Sequence, residues 1–457
     1  MRRLLLWLGV AALAALGMAG AEAQQASPAA AQHAEFLRAA DETLAAVSRL
    51  VELPVKEPLK KSIRSREQMR SYLLRQLAED EKPAKRYADQ KALERFGLIP
   101  PGFDLDAFLV EVLTEQVAGL YDPKRKEFYI ADWVQREELE SVMAHELVHA
   151  LHDQYFGVES WVKAARPNDD ALLARGAVLE GSAFAAMLDF ILREQERRVR
   201  DLPHLGPLLA QMGPVDPEKN PVLARAPLYV REGLMFPYTA GTLFTQQVLK
   251  ANAGWVDFPK VFQNPPVSTQ QILHPELYFK GVAPEPVALP DLGRALPAGW
   301  KKLDENLVGE FGLHILLKQF LGQERAADLS PAWAGDRYAI FEHSKSKQTL
   351  LVFRLRLASI EDAQRFFGRY SEALERKHST RQQLLRRPSF FSFAGDGGGV
   401  FLYCLGADCL TVEGLDREAF NRIVRAVGWP PAPAPPASPL RPKATVAAEV
   451  LLPSFAF

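Results

Sequence analysis

The sequence has little cysteine and almost no net charge, and both shortages exclude classes of protein. Among 457 residues there are only 2 cysteines, too few for a disulfide scaffold or a cysteine-based zinc site. Lys and Arg number 55 against 56 Asp and Glu, so we expect no nucleic-acid partner. A hydrophobic content of 48% excludes general disorder. A metal site in this chain would therefore depend on Asp, Glu and the 9 histidines.

The first 23 residues have the pattern of a secretory signal peptide. Arg2 and Arg3 precede an apolar run from Leu4 to about Met18, and small residues follow as far as Ala21-Glu22-Ala23. The run is shorter than the roughly 20 residues of a membrane span, although an uncleaved anchor remains the alternative. No later stretch approaches about 18 uninterrupted apolar residues. We therefore expect an exported protein, periplasmic or extracellular, with no stable membrane span after cleavage.

The length favours two or three domains, and the residue pattern indicates a helix-rich α+β fold. We expect these segments: a signal peptide at 1–23, a helical N-terminal region at 24–100, a central region at 101–330, a C-terminal α+β module at 331–429 and a Pro/Ala-rich tail at 430–457. In the module, alternation predicts strands at 337–343, 349–357, 390–394, 400–405 and 410–413. Ser359-Ile-Glu-Asp362 is a capping-box signature that opens a helix there.

Cys404 and Cys409 flank a short Leu-Gly-Ala-Asp turn between two apolar runs. These runs are typical of hairpin strands, and in an oxidising compartment the spacing favours a local disulfide across the turn. Two separate buried thiols are the alternative.

The segment His145-Glu146-Leu147-Val148-His149 places two imidazoles one helical turn apart. Positions i and i+4 share one face of a helix, so both rings can reach one ion at Zn–N distances of about 2.0–2.1 Å. Glu146 lies about 100° round the helix from His145, beside such an ion rather than on it. It can therefore accept a proton from water that the metal activates. Two solvent-facing histidines are the alternative.

An open zinc site needs a third protein ligand, and Glu180 fits that role. It lies in the apolar helical stretch 177–184, where a lone carboxylate would be costly unless it is coordinated or paired. Gly181 and Ala183 are small, so we expect them to let this helix approach the first one. The alternatives are a pairing of Glu180 with Arg175, or coordination by Asp153 or Asp189.

These motifs resemble the gluzincin metallopeptidases, in which the third zinc ligand is the Glu of a Glu-Gly-x-Ala motif, as at 180–183 here. The sequence has Leu179 where the aminopeptidase-like members have Asn, and 30 residues separate His149 from Glu180. The stretches 117–123, 144–154 and 268–275 resemble exported bacterial zincin-like proteins. The resemblance covers roughly residues 65–330.

The resemblance implies a zincin-like catalytic domain at 101–330, with one Zn²⁺ ion held by His145, His149 and Glu180. It further implies hydrolysis of a peptide or protein substrate, with Glu146 as general base and acid. The family architecture also implies that Gly119–Asp122 is an edge strand that pairs with the substrate backbone.

Two residues are candidates for stabilising the oxyanion or binding substrate, namely His274 and Tyr238. The alternatives are a loop-fixing hydrogen bond for His274 and a buried ring with a satisfied hydroxyl for Tyr238. A catalytically silent zincin-like binding or scaffold protein of the cell envelope is the second hypothesis for the whole chain. The sequence does not indicate an oligomeric state.

Overall fold

The computed structural model describes residues 29–134, 136–211 and 216–433. The signal peptide expected at 1–23 and most of the tail expected at 430–457 lie outside these ranges. The fold is α+β, as predicted: helices predominate as far as about residue 295, and strands predominate after it.

The N-terminal part consists of helices packed around a three-stranded sheet. Strand β1 (Lys60–Arg64) pairs in parallel with β3 (Glu127–Ala131), and β2 (Gly119–Asp122) pairs antiparallel with β3, so that β2 is an edge strand. The helices are α1 (Ala29–Leu50), α2 (Arg66–Asp80), α3 (Pro83–Phe96), α4 (Leu105–Gln116), α5 (Arg136–Phe156), α6 (Val158–Lys163), α7 (Asp169–Leu192), α8 (Leu205–Gln211), α9 (Pro221–Ala224), α10 (Leu228–Ala251), α11 (Lys260–Gln263), α12 (Thr269–Leu273) and α13 (Pro275–Phe279).

The C-terminal part is a seven-stranded antiparallel sheet in the order β4-β5-β6-β10-β9-β8-β7. Its strands are β4 (Trp300–Asn306), β5 (Trp333–His343), β6 (Thr349–Leu357), β7 (Gln382–Arg387), β8 (Phe390–Gly395), β9 (Gly398–Leu405) and β10 (Asp408–Leu415). Its helices are α14 (Gly309–Leu321), α15 (Gln323–Leu329), α16 (Ile360–Lys377) and α17 (Arg417–Ala426). Ser359 caps α16 as predicted, because its side chain accepts a hydrogen bond from the amide of Asp362. The sheet takes its first strand, β4, from before residue 331, where we expected the module to begin.

The two parts share one hydrophobic core. Phe96 of α3 lies edge-on against Tyr338 of β5 and Phe353 of β6, with ring centroids 5.4 and 5.5 Å apart. On the opposite face of the sheet, a separate cluster lies under α17, where Phe401 stacks on Phe420 at 4.4 Å. One face of the sheet is therefore covered by α3 of the N-terminal part together with α14 and α16 of the C-terminal part.

Cys404 and Cys409 form a disulfide, as favoured by their spacing. They are directly opposite each other on the adjacent strands β9 and β10. The alternative of two separate thiols was wrong.

Helix α7 is the most apolar long helix of the described chain. By length and composition, residues Asp169–Gln195 could cross a membrane, but 94% of the apolar window is buried inside the protein. Asn168 caps the helix by accepting a hydrogen bond from the amide of Ala171. This helix lies in the core and carries Glu180 into it.

Candidate metal centre

Helix α5 brings the histidine motif into the interior. His145 and Glu146 are completely buried, and His149 is 8% exposed. The apolar neighbours Leu147 and Val148 are also fully buried, so this turn of α5 has no solvent-facing side. The alternative of two solvent-facing histidines was therefore wrong.

Glu180 of α7 completes a group of three side chains. Its Oε2 lies 3.2 Å from Nε2 of His145 and 3.4 Å from Nε2 of His149. Arg175, the alternative partner of Glu180, instead donates a hydrogen bond to the carbonyl of Trp161. The carboxylate is buried and its closest polar neighbours are the two imidazoles, as expected of a third ligand.

The three side chains fit a metal ion. Their ligand atoms all lie within 4.8 Å of one another, and the two Nε2 atoms are 3.2 Å apart. In both rings it is Nε2 that faces Oε2 of Glu180, whereas Nδ1 of His145 is buried without a hydrogen-bond partner among the described residues. Two imidazoles and one carboxylate form the donor set of an open zinc site, which leaves a fourth position for water or substrate.

Glu146 is held by one oxygen only. Its Oε2 accepts a hydrogen bond from the amide of Tyr121 on the edge strand β2, at 2.9 Å. Its Oε1 is buried and has no hydrogen-bond partner among the described residues. Burial raises the pKa of Glu146 to about 8, and the charge of Glu180 adds to the rise while His149 opposes it. One carboxylate oxygen is thus anchored, and the other is available for proton transfer.

The groups around Glu180 have shifted pKa values. Burial would raise the pKa of Glu180, but attraction to His149 and hydrogen bonds from both imidazoles lower it to about 2. Burial lowers the pKa of His145, whereas Glu180 overcomes burial at His149 and raises its pKa. Glu180 and His149 therefore favour each other's charged forms.

A close crossing of α7 and α10 lies beside Glu180. A Cβ on Gly181 would lie 2.1 Å from the carbonyl carbon of Gly241, and a Cβ on Gly241 would lie 2.1 Å from the carbonyl oxygen of Ala177. Only glycine at both positions allows the two backbones to come so close. We expected Gly181 to admit α5, and this was wrong: the small residue admits α10.

The crossing brings Tyr238 of α10 to the metal centre. Its buried ring stacks on His145, with centroids 5.9 Å apart and planes inclined by 27°. His274, the other candidate, lies between α12 and α13, where its Nε2 is 2.8 Å from Oε1 of Glu310. Of the two candidates, the structure therefore brings only Tyr238 into contact with the centre, and the contacts described for His274 lead elsewhere.

The alternative ligands have other partners. Asp153 accepts hydrogen bonds from the hydroxyl of Tyr121 and from the amide of Val158. Asp189 accepts hydrogen bonds from the amide of Val199 and from the indole of Trp255. Both carboxylates hold the fold together locally and neither belongs to the group of three.

His152 lies buried one turn after His149. The residue is 1% exposed, and its ring lies 4.9 Å from the ring of Phe262. Burial, together with repulsion from His149 and His145, lowers its pKa to about 3. Its Nδ1 has no hydrogen-bond partner among the described residues.

The comparison with known protein families finds a match in the C-terminal part of the chain. A family described as a domain of unknown function (DUF8575) matches residues 296–423, from just before β4 into α17. No curated protein matches the chain, and no solved structure matches it. The matched segment contains none of His145, His149 and Glu180.

Proposed function

We propose that this protein is an exported zinc-dependent metallopeptidase of the gluzincin type, with a zincin-like core within 101–330. The observation that carries the proposal is the convergence of His145, His149 and Glu180 beside the unpartnered oxygen of Glu146. The apolar start of the sequence supports export, and a peptide or protein is the substrate.

The roles of the residues follow from their positions. His145, His149 and Glu180 would hold a zinc ion, which would supply Lewis-acid chemistry to a substrate carbonyl and a water molecule. Glu146 takes up the proton of the attacking water at Oε1 and returns it to the leaving amine, while Oε2 stays fixed by Tyr121. The ring of Tyr238 lies beside that of His145, and we assign its hydroxyl to the developing oxyanion. His274 has no role in this scheme.

The burial of the centre favours the second candidate function, a catalytically silent zincin-like binding or scaffold protein. His145, Glu146 and Glu180 are each at most 1% exposed, and the edge strand β2 is buried along its length. A peptide substrate would reach the ligands only if neighbouring elements moved apart. A silent zincin would keep the metal and the buried geometry without that movement.

Glu146→Gln decides between the two functions. In the full chain, we expect about one zinc per protein by elemental analysis in both wild type and variant, because Glu146 is not a ligand. Peptide hydrolysis should fall by about 10²–10⁴-fold in the variant, the usual contribution of a general base. Glu140→Gln is the matched control, since Glu140 lies on the same helix with an exposed side chain.

Equal rates of peptide hydrolysis by wild type and Glu146→Gln would show that Glu146 is not the general base. Stoichiometric zinc with no hydrolysis of any peptide by wild type would support the silent zincin. Absence of bound zinc from the wild-type protein would contradict both the metallopeptidase and the silent zincin.

A further inference from the structure

One tyrosine of strand β2 contacts helix α5 at two levels. The amide of Tyr121 donates a hydrogen bond to Oε2 of Glu146, and its hydroxyl donates one to Oδ2 of Asp153, both at 2.9 Å. The two acceptors lie on the same face of the helix, about two turns from each other. The backbone and the side chain of Tyr121 together therefore fix the strand along this face of α5.

Asp153 is itself held in place. Its Oδ1 accepts a hydrogen bond from the amide of Val158 at the start of α6, at 3.0 Å, so each of its two oxygens has a donor. Burial raises the pKa of Tyr121, and the charge of Asp153 adds to the rise, so the phenol keeps the proton that it donates. The contact between Tyr121 and Asp153 is therefore a hydrogen bond to a fixed acceptor.

The carboxylate of Glu146 depends on strand β2 for its orientation. Among the described residues, the amide of Tyr121 is the hydrogen-bond donor to Oε2, and Oε1 has no partner. The strand is only four residues long (Gly119–Asp122) and pairs with β3 along one side. A shift of β2 along α5 would move the amide away from Glu146 and leave the carboxylate free to turn. The hydroxyl of Tyr121 opposes such a shift, because its acceptor lies on the same helix as Glu146.

We propose that Tyr121 and Asp153 are positioning residues for the general base. The hydrogen bond between them holds β2 at the level of α5 where the amide of Tyr121 meets Glu146. The inference rests on the proposed function for the role of Glu146. It goes beyond that function, which assigns no role to Asp153 or to the hydroxyl of Tyr121. Neither residue belongs to the group of three ligands, so zinc content should not depend on them.

Tyr121→Phe removes the hydroxyl and keeps the amide and the ring. We expect kcat to fall about ten-fold, the value of one hydrogen bond to a charged group, with KM and zinc content unchanged, since Glu146 acts in the chemical step. Tyr129→Phe is the matched control, because Tyr129 lies on β3 and its hydroxyl donates to Glu127 at 3.2 Å. Asp153→Asn keeps an acceptor at the same place and should retain more activity than Asp153→Ala.

A double-mutant cycle separates positioning from a merely structural role. In the Glu146→Gln background, Tyr121→Phe should leave the residual kcat unchanged, because no general base remains to be positioned. The same fold-loss of kcat in both backgrounds would overturn the proposal, and so would full activity of Tyr121→Phe. Unchanged hydrolysis in Glu146→Gln alone is a different result, which contradicts the proposed function.

Hydrogen exchange of the purified full chain, followed by mass spectrometry, tests the same contact without any activity. The amides of β2 should exchange at least about five-fold faster in Tyr121→Phe than in wild type, because the strand is then released from Asp153. The amides of α5 should be unaffected, and Tyr129→Phe should leave β2 as in wild type. If Tyr121→Phe does not fold, Asp153→Asn carries the same comparison. Unchanged exchange of β2 in the folded variant would overturn the proposal, even for a chain that hydrolyses no peptide.

Discussion

The candidate metal centre and the charge cluster of Glu413, Lys377, His378 and Arg95 are both largely enclosed, but they are balanced in different ways. At the candidate metal centre, two imidazole nitrogens and a carboxylate oxygen converge, and Oε1 of Glu146 has no hydrogen-bond donor among the described residues. In the charge cluster, Lys377 and His378 lie within hydrogen-bond distance of the carboxylate of Glu413, and Arg95 adds a third basic group beside it. Because buried polar groups are normally paired, the converging ligand atoms favour a cation at the first site, whereas the second site is balanced by its own acid.

Removal of one candidate zinc ligand should have the largest effect of all, and we expect it at the candidate metal centre alone. His149→Ala should lower zinc affinity by more than about 100-fold, because two remaining ligands do not form a tight site. Zinc content after gel filtration measures the effect. His274→Asn is the control, since its ring pairs with Glu310, and it should retain zinc. Stoichiometric zinc in His149→Ala would show that the ion is held elsewhere.

Removal of the negative charge of Glu413 from the charge cluster should cost the most stability. Glu413→Gln should lower the free energy of unfolding by about 3–5 kcal/mol at neutral pH, because Lys377 and Arg95 then lack their counter-charge. Zinc content should be unaffected. Glu418→Gln is the control: its side chain is 85% exposed in a surface pair with Arg422, and its loss should cost about 1 kcal/mol or less.

The loss of stability in Glu413→Gln should depend on pH. Burial would raise the pKa of Glu413, but Lys377, His378 and Arg95 lower it from 4.5 to about 2. A lowered pKa in the folded state means that Glu413 stabilises fully above pH 4.5, and that the contribution disappears as the pH falls towards 2. The stability difference between wild type and Glu413→Gln should therefore shrink over that interval. A constant difference would contradict the assigned pairing.

The close crossing of α7 and α10 at Gly181 and Gly241 allows the candidate metal centre to be perturbed without a change in the charge cluster around Glu413. Gly241→Ala would place a methyl group 2.1 Å from the carbonyl oxygen of Ala177, so we expect a loss of about 2–3 kcal/mol and weaker zinc binding through displacement of Glu180. Chemical denaturation and zinc titration measure both. Gly368→Ala in α16 has free space around it and should be neutral or stabilising. Equal effects of the two substitutions would mean that the crossing is not tight.

The smallest effect is expected from the tyrosine. Tyr238→Phe should lower kcat about ten-fold, the value of one ordinary hydrogen bond, with zinc content unchanged. Tyr278→Phe is the control, because its hydroxyl donates to the carbonyl of Asn264. If both variants keep full activity, Tyr238 has no part in the reaction.

Local pattern predicted much of this molecule. The strands β5, β6 and β8–β10 alternate strongly, and the histidine motif and Glu180 are recognisable because each combines a spacing with an apolar setting. Strand β1 was not predicted, since Lys-Lys-Ser-Ile-Arg has little apolar character and its partner β3 follows more than 60 residues later. The hydrogen bond from Tyr121 to Glu146 comes from a backbone amide, which leaves no signal in the sequence.

Long-range convergence accounts for the remaining errors. Gly181 and Gly241 touch across two helices, so the sequence showed that Gly181 is small without showing which helix it admits. Arg95, Lys377 and Glu413 each have the sequence context of an ordinary surface charge. The packing of α16 on the sheet brings Lys377 to Glu413, and the packing of α3 adds Arg95.

The aromatic contact of Phe96 with Tyr338 and Phe353 bears on how this architecture can be divided. The stretch matched at 296–423 contains α14 and α16, which cover part of this face of the sheet, yet Tyr338 and Phe353 are covered by α3, more than 200 residues upstream. Cut from the rest of the chain, the stretch would expose the apolar patch under α3 and be prone to aggregate there. The isolated stretch would therefore need a substitute for α3 at that patch.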